Sequence, residues 1–177
     1  MSRKGQVKQV FIYIMAILVI GFLILFGYQM IDKLLNQQCE VADQQFMTRL
    51  GDDLDDSVRY LSRTNSVLHA PCDFHKLCFV NAPNVTGESD LKNFDSNIDD
   101  NYPMIWANTR DGIEYNVYLI DESDDGVTTP VIFDERIRTI NPEDGSGEEL
   151  LCINSTNKQF SFWMEGYGKN GIYLYDG

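Results

Sequence analysis

Four residues with metal-ligand chemistry recur at every third position: His69, Cys72, His75 and Cys78. Two thiolates and two imidazoles make a zinc set. Zinc fingers, however, separate their two ligand pairs by a loop and a helix, and this stretch has room for neither. In an oxidising compartment cysteines pair with one another instead. The chain holds four, Cys39, Cys72, Cys78 and Cys152, so three connectivities are open. The pairing expected is Cys72–Cys78, closing a short loop, with Cys39–Cys152 stapling a helix to a strand. No metal site is expected.

Asp121-Glu122-Ser123-Asp124-Asp125-Gly126 has the opening of a calcium loop, with oxygens at positions one, three and five and glycine at six. The twelfth position is Ile132 rather than a bidentate Glu, so an acidic hairpin turn is the expected reading. Gly166-Tyr167-Gly168-Lys169-Asn170-Gly171 matches GxGxxG. A dinucleotide site needs a helix opening at that motif, and Ile172–Gly177 are too few for a helix and a second strand. A hairpin turn is expected there too. Asp52, Asp53, Asp55 and Asp56 read as a solvated helix face. Neither G-x-S-x-G nor H-E-x-x-H occurs. The two histidines lie in one short segment, and no acid pair can be placed in a pocket. No catalytic residue and no cofactor is expected, and the chain does not read as an enzyme. Trp106, Phe160, Phe162 and Trp163 are expected in the core rather than in a sugar-binding platform. Asn84-Val85-Thr86 and Asn154-Ser155-Thr156 are glycosylation sequons, making Asn84 and Asn154 candidate acceptors.

Charge narrows the partners. The net charge of −13 is uneven: residues 1–40 carry four basic and two acidic groups, and the remainder ten basic and 25 acidic. So acidic a domain repels phosphate backbones, and nucleic-acid binding is excluded on this ground.

The elements that must carry these residues begin with an apolar run from Phe11 to Ile31 that no charge interrupts. It is long enough to cross a bilayer core of about 30 Å. Arg3, Lys4 and Lys8 precede it and only Lys33 follows closely. The positive-inside tendency then places the N-terminal side in the cytoplasm and the large domain outside. Beyond the run, Ile31, Leu35, Cys39, Ala42, Phe46, Leu50, Leu54, Val58 and Leu61 recur at threes and fours. That is one apolar helix face. A single helix is predicted from Gln6 to about Arg63, with Gly51 its weakest position.

From residue 64 the pattern changes to short β-branched and aromatic runs: Lys76–Asn81, Met104–Asn108, Ile113–Asp121, Thr129–Phe133, Arg136–Ile140, Leu150–Asn154, Gln159–Met164 and Ile172–Tyr175. Asp111-Gly112, Asp125-Gly126, Asp144-Gly145 and Asn170-Gly171 punctuate them as hairpin signals. The run around Tyr115–Ile120 is apolar at successive positions and is predicted to be buried on both faces. Residues 82–101 read as a long exposed loop.

Lys4-Gly5-Gln6 directly before the apolar run resembles the class III signal of archaeal type IV pilin-like proteins. The resemblance implies cleavage between Gly5 and Gln6, retention of the apolar segment as the start of a long helix, and a β-rich head beyond it. It also implies, as partners, the lipid bilayer and either further copies or other pilin-like subunits. Many such pilins carry Glu at the fifth mature position, which is Val10 here. The alternative for Arg3-Lys4 is a plain basic flank of an anchor.

The fold class expected is α+β, a long N-terminal transmembrane and amphipathic helix packed on an antiparallel sheet or small β-sandwich. Its divisions are a basic cytoplasmic leader or flank at 1–9, a transmembrane segment at 10–31, the helix continuation at 32–65 and a β-rich head at 66–177. The function expected is a membrane-anchored, disulfide-bonded, glycosylated cell-surface protein, a pilin-like subunit displaying its head. The alternative is a non-assembling single-pass protein whose ectodomain binds or serves envelope structure.

Overall fold

The structure, a computed structural model, describes residues 4–59, 61–72, 74–81, 102–111, 113, 115–121 and 127–176. The chain divides into two compact units, Met1–Val41 and Ala42–Gly177. Helix α1 spans Lys4–Ser57. In the first unit, its Val10–Ile31 stretch is long and apolar enough to cross a membrane, and none of it is buried inside the protein. Its 22 residues extend roughly 33 Å at the helical rise, which matches a hydrocarbon core.

In the second unit the helix stripe does what its spacing predicts: Phe46, Leu50 and Leu54 are buried. They share one core with the inner faces of both sheets. The helix stops at Ser57 rather than near Arg63, and tertiary contacts stop it. The Ser62 hydroxyl lies 2.9 Å from the Ser57 carbonyl oxygen and 2.7 Å from that of Arg59, placed to donate to either. Leu61 turns the chain with φ 61°, and its N–H donates to the Gly166 carbonyl at 2.7 Å. A Cβ on Gly166 would overlap the Ser57 and Arg59 carbonyl oxygens. Only glycine allows the sheet to approach the helix end so closely.

The chain continues as β1 (Arg63–His69), β2 (Lys76–Val80), α2 (Pro103–Arg110), β3 (Val117–Asp121), β4 (Val127–Ile132), β5 (Ile137–Arg138), β6 (Leu150–Asn154), β7 (Gln159–Gly166) and β8 (Ile172–Asp176). Sheet I has the order β1-β7-β8-β5 and sheet II the order β4-β3-β2-β6. All pairings are antiparallel except β5 with β8. The chain passes from sheet II to sheet I through Asn157 and Lys158, whose φ values of 53° and 59° make a two-residue primed turn. Thr156 and Gln159 close it by exchanging both backbone hydrogen bonds.

The inner faces bring Leu77, Phe79, Val117 and Leu119 of sheet II against Phe160, Phe162, Met164 and Leu174 of sheet I. The other face of sheet II presents Cys78, Val80, Tyr118 and Ile120, and α2 covers it with Ile105 and Trp106. Strand β3 is therefore buried on both sides, as its continuous apolar pattern predicts.

Three expectations need correction. Met104–Asn108 is part of helix α2, not a strand. Pro103 in the first turn is pre-set for a helix, and a short apolar run fits both periods. Residues 63–65, assigned to the helix continuation, and 66–69, placed in the head with no element of their own, together form β1. The third correction is the cysteine pairing. Cys78 and Cys152 stand directly opposite on β2 and β6, their Cα atoms 4.1 Å apart, and form a disulfide. Strand register makes this pair, and it precludes both Cys72–Cys78 and Cys39–Cys152. Cys39 and Cys72 are each disulfide-bonded as well.

Candidate functional site

The outer face of sheet I is the strongest candidate surface. Strand β7 alternates strictly: Phe160, Phe162 and Met164 point into the core, while Ser161, Trp163 and Glu165 point out. Register extends that outer face across the sheet. One lateral row reads Arg63, Glu165, Tyr173, Arg138 from β1 to β5. The next reads Asn65, Trp163, Tyr175. With strands about 4.8 Å apart, the two arginines are separated by roughly 14 Å.

The rings and the guanidinium organise one another. Arg63 Cζ lies 4.8 Å from the Trp163 ring centroid and 5.3 Å from that of Tyr175. Tyr173 stacks on Tyr175 with centroids 5.2 Å apart. Such contacts hold a guanidinium by its flat faces and leave its edge N–H groups free to bind oxygen. Burial pushes the Tyr175 phenol above its ordinary pKa, with the Arg63 charge acting against it. At the far edge, Arg138 Nη1 donates to the carbonyls of Glu135 and Ile137. Among the described residues no carboxylate stands within salt-bridge distance of Arg63 or Arg138.

Strand β5 has only two residues, and a polar strut fixes it. Asn116, fully buried, donates from Nδ2 to the Asp134 carbonyl at 2.8 Å and accepts the Asp134 N–H at 2.9 Å. Asp134 in turn holds Arg136 through its backbone N–H and its guanidinium. Arg136 Nη1 reaches Asp55 of α1 at 2.7 Å. Burial pushes the Asp134 carboxyl up, but hydrogen bonds from Arg136 and the charges of Arg136 and Arg138 outweigh it, and the net shift is below the ordinary range. The strut thus positions Arg138 by anchoring the strand that carries it.

The residues singled out from the sequence scatter. Gly5 and Gln6 lie in the first turns of α1. Cys72 and Cys78 of the His/Cys set are both oxidised, so the thiolates that zinc needs are absent. Among the described residues no group of three or more His, Cys, Asp or Glu is placed to hold a metal ion. Asp121 ends β3 with its Oδ1 3.9 Å from His75 Nδ1, while residues 122–126 of the calcium-like stretch lie outside the described residues. So do residues 82–101, with Asn84. Asn154 is exposed at the end of β6. The GxGxxG segment forms the β7–β8 turn, with a 3₁₀ turn at Gly168–Asn170. Asp52, Asp55 and Asp56 are exposed on α1. Of the four aromatics expected in the core, Phe160 and Phe162 are fully buried, and Trp106 of α2 packs, partly buried, against the outer face of sheet II. Trp163 instead joins the outer face. A separate cleft of about 190 Å³ lies between Ala42, Phe46 and Arg49 of α1 and Leu68, His69 and Pro71. It contains no nucleophile with an adjacent base.

No family model, no curated protein and no solved structure matches this chain.

Proposed function

We propose that this protein is a membrane-anchored surface subunit of the type IV pilin-like kind. The Val10–Ile31 helix holds it in the bilayer with the basic flank in the cytoplasm, and the Ala42–Gly177 head is displayed outside, glycosylated at Asn154. The head works by contact, with no catalytic step. One observation carries the reading: an uncovered apolar helix of membrane-spanning length precedes a disulfide-bonded β-rich head. A disulfide of this kind persists in oxidising compartments and is rare in the cytosol.

A second reading, a single-pass protein that does not assemble, is favoured by Val10. A pilin-like chain cut after Gly5 ordinarily carries a carboxylate there to pair with a neighbour's N-terminal amine. Intact-mass measurement and N-terminal sequencing of the native protein discriminate the two. A mature chain starting at Gln6 supports the pilin-like reading, and a retained Arg3-Lys4 flank favours the second.

A further inference from the structure

We propose that strand β1, the free edge of sheet I, takes up an extended segment of another protein as an added strand, with one apolar side chain of that segment entering the cleft between β1 and α1. β1 ends its sheet, and its ladder to β7 uses only half of its backbone groups. The Gly166 N–H donates to the Ser62 carbonyl and the Ala70 N–H to that of Lys158, at the two ends of an unshifted register. The even-numbered residues of β1 are therefore the ones bonded to β7. The N–H and C=O groups of Arg63, Asn65, Val67 and His69 point away from it, and among the described residues nothing pairs with them. Proteins ordinarily blunt such an edge with proline, lysine, a bulge or short length. Here β4 carries Pro130 and β5 has two residues, whereas β1 has seven with neither proline nor lysine. Asn65, Val67 and His69 are exposed, so the edge is open. A row of alternating donors and acceptors is matched by one kind of occupant, an extended backbone.

The cleft gives that occupant a side-chain pocket. It is lined by Phe46 and Arg49 of α1 and by Leu68, His69 and Pro71. Leu68 points inward from β1 and is buried. Residues opposite one another on paired strands share a face, so the residue of an added strand opposite Leu68 sends its side chain to the same side, toward Phe46. The floor there is apolar. At about 190 Å³ the cleft suits one side chain rather than a small-molecule ligand, whose pockets run to about 300–1,000 Å³. The Ser66 hydroxyl donates to Asp53 of α1, which ties the edge strand to the helix, so both walls are preformed and little order remains to be gained on docking. Charge restricts the occupant further. Beyond residue 40 the chain carries ten basic and 25 acidic groups, which repels an acidic segment and leaves a neutral or basic one. The inference goes beyond the anchored-subunit reading and stands without it, because strand addition needs neither the membrane span nor cleavage at Gly5.

The test selects phage-displayed peptides of about ten residues, the upper end of strand length, on the full chain in detergent micelles, and measures the selected peptides as synthetic ones. With peptide bound, hydrogen exchange should slow at the Asn65 and Val67 amides and stay unchanged at Thr64 and Ser66, whose amides already pair with β7. Val67→Pro removes one outward N–H, a position at which an edge strand tolerates proline. It should weaken binding at least ~10-fold while the near-ultraviolet circular dichroism stays that of wild type. Ala42→Leu narrows the cleft without touching the edge backbone and should weaken binding by a similar factor. An affinity that either substitution leaves unchanged overturns the proposal, as does protection of amides elsewhere in place of Asn65 and Val67. The absence of any peptide binding tighter than about 100 μM overturns it too. So does sedimentation in which wild type self-associates and Val67→Pro does not, which would give the edge to a second copy of the chain.

Discussion

The two sheets of the head solve the same burial problem differently. Sheet II is closed on both faces: the shared core covers one side and α2 the other, with Cys78–Cys152 locked beneath the helix. Its strand β3 is accordingly apolar at every position from Val117 to Ile120. Among the described residues, sheet I is closed on one face only. Its strand β7 alternates, and the residues turned outward are rings and charges rather than aliphatics. Sheet II is a structural slab, and sheet I keeps its outer face uncovered among the described residues.

The sharpest challenge to that contrast uses sequence neighbours. Tyr118→Ala and Leu119→Ala, on opposite faces of β3, should each cost about 3–5 kcal/mol. On β7, Phe162→Ala should cost the same, but Trp163→Ala no more than about 1.5 kcal/mol, mostly the lost cation–π contact. Urea titration reads all four, and equal losses at 162 and 163 would erase the distinction between the sheets. Next comes the covered disulfide. It closes a segment of sequence separation 74, and replacing both cysteines by alanine should lower stability by about 2–5 kcal/mol. The outer face of sheet I should keep its shape, read as an unchanged near-ultraviolet signal from Trp163.

Smaller effects probe how the open face is held in place. Asn116→Ala leaves the Asp134 N–H buried without its partner and takes one of two donors from the Asp134 carbonyl, which keeps the Ile137 N–H, at about 1–3 kcal/mol. It should also increase hydrogen exchange at Ile137 and Arg138. Asp134 gives the least. Its carboxyl is held below the ordinary range, so its contribution is complete above the unfolded value of about 3.9 and disappears as pH falls through the lower folded value. Asp134→Asn should lower the stability read by urea titration at pH 7 by no more than about 1 kcal/mol after screening. It should also flatten the loss of stability below about pH 4. An acid limb identical to that of wild type would remove Asp134 from the strut.

Much of the architecture is legible in the residues. The stripe Phe46, Leu50, Leu54 specifies the buried helix face, and unbroken hydrophobicity in β3 specifies a strand covered twice. The end of the helix is not legible. Nothing local stops it at Ser57; the stop comes from Ser62, Leu61 and the approach of Gly166 from a distant strand. Arg63–His69 hides as a strand because only Val67 and Leu68 are apolar in it. Cys78 and Cys152 meet through the β2–β6 register, which spacing cannot convey. The outer face was within reach: in Phe160-Ser161-Phe162-Trp163-Met164 the period of two already turns Trp163 away from its neighbours. Its partners Arg63 and Tyr175 come from strands whose register only the fold supplies.

The central claim, an anchored chain whose head lies outside the cell, is tested most directly with a membrane-impermeant amine reagent on intact cells. Lys158 and Lys169 are exposed on the head. Both should be modified before the cells are opened, in protein that sediments with the membrane fraction. Modification of these lysines only after lysis, or their appearance in protein free of membranes, would contradict the account.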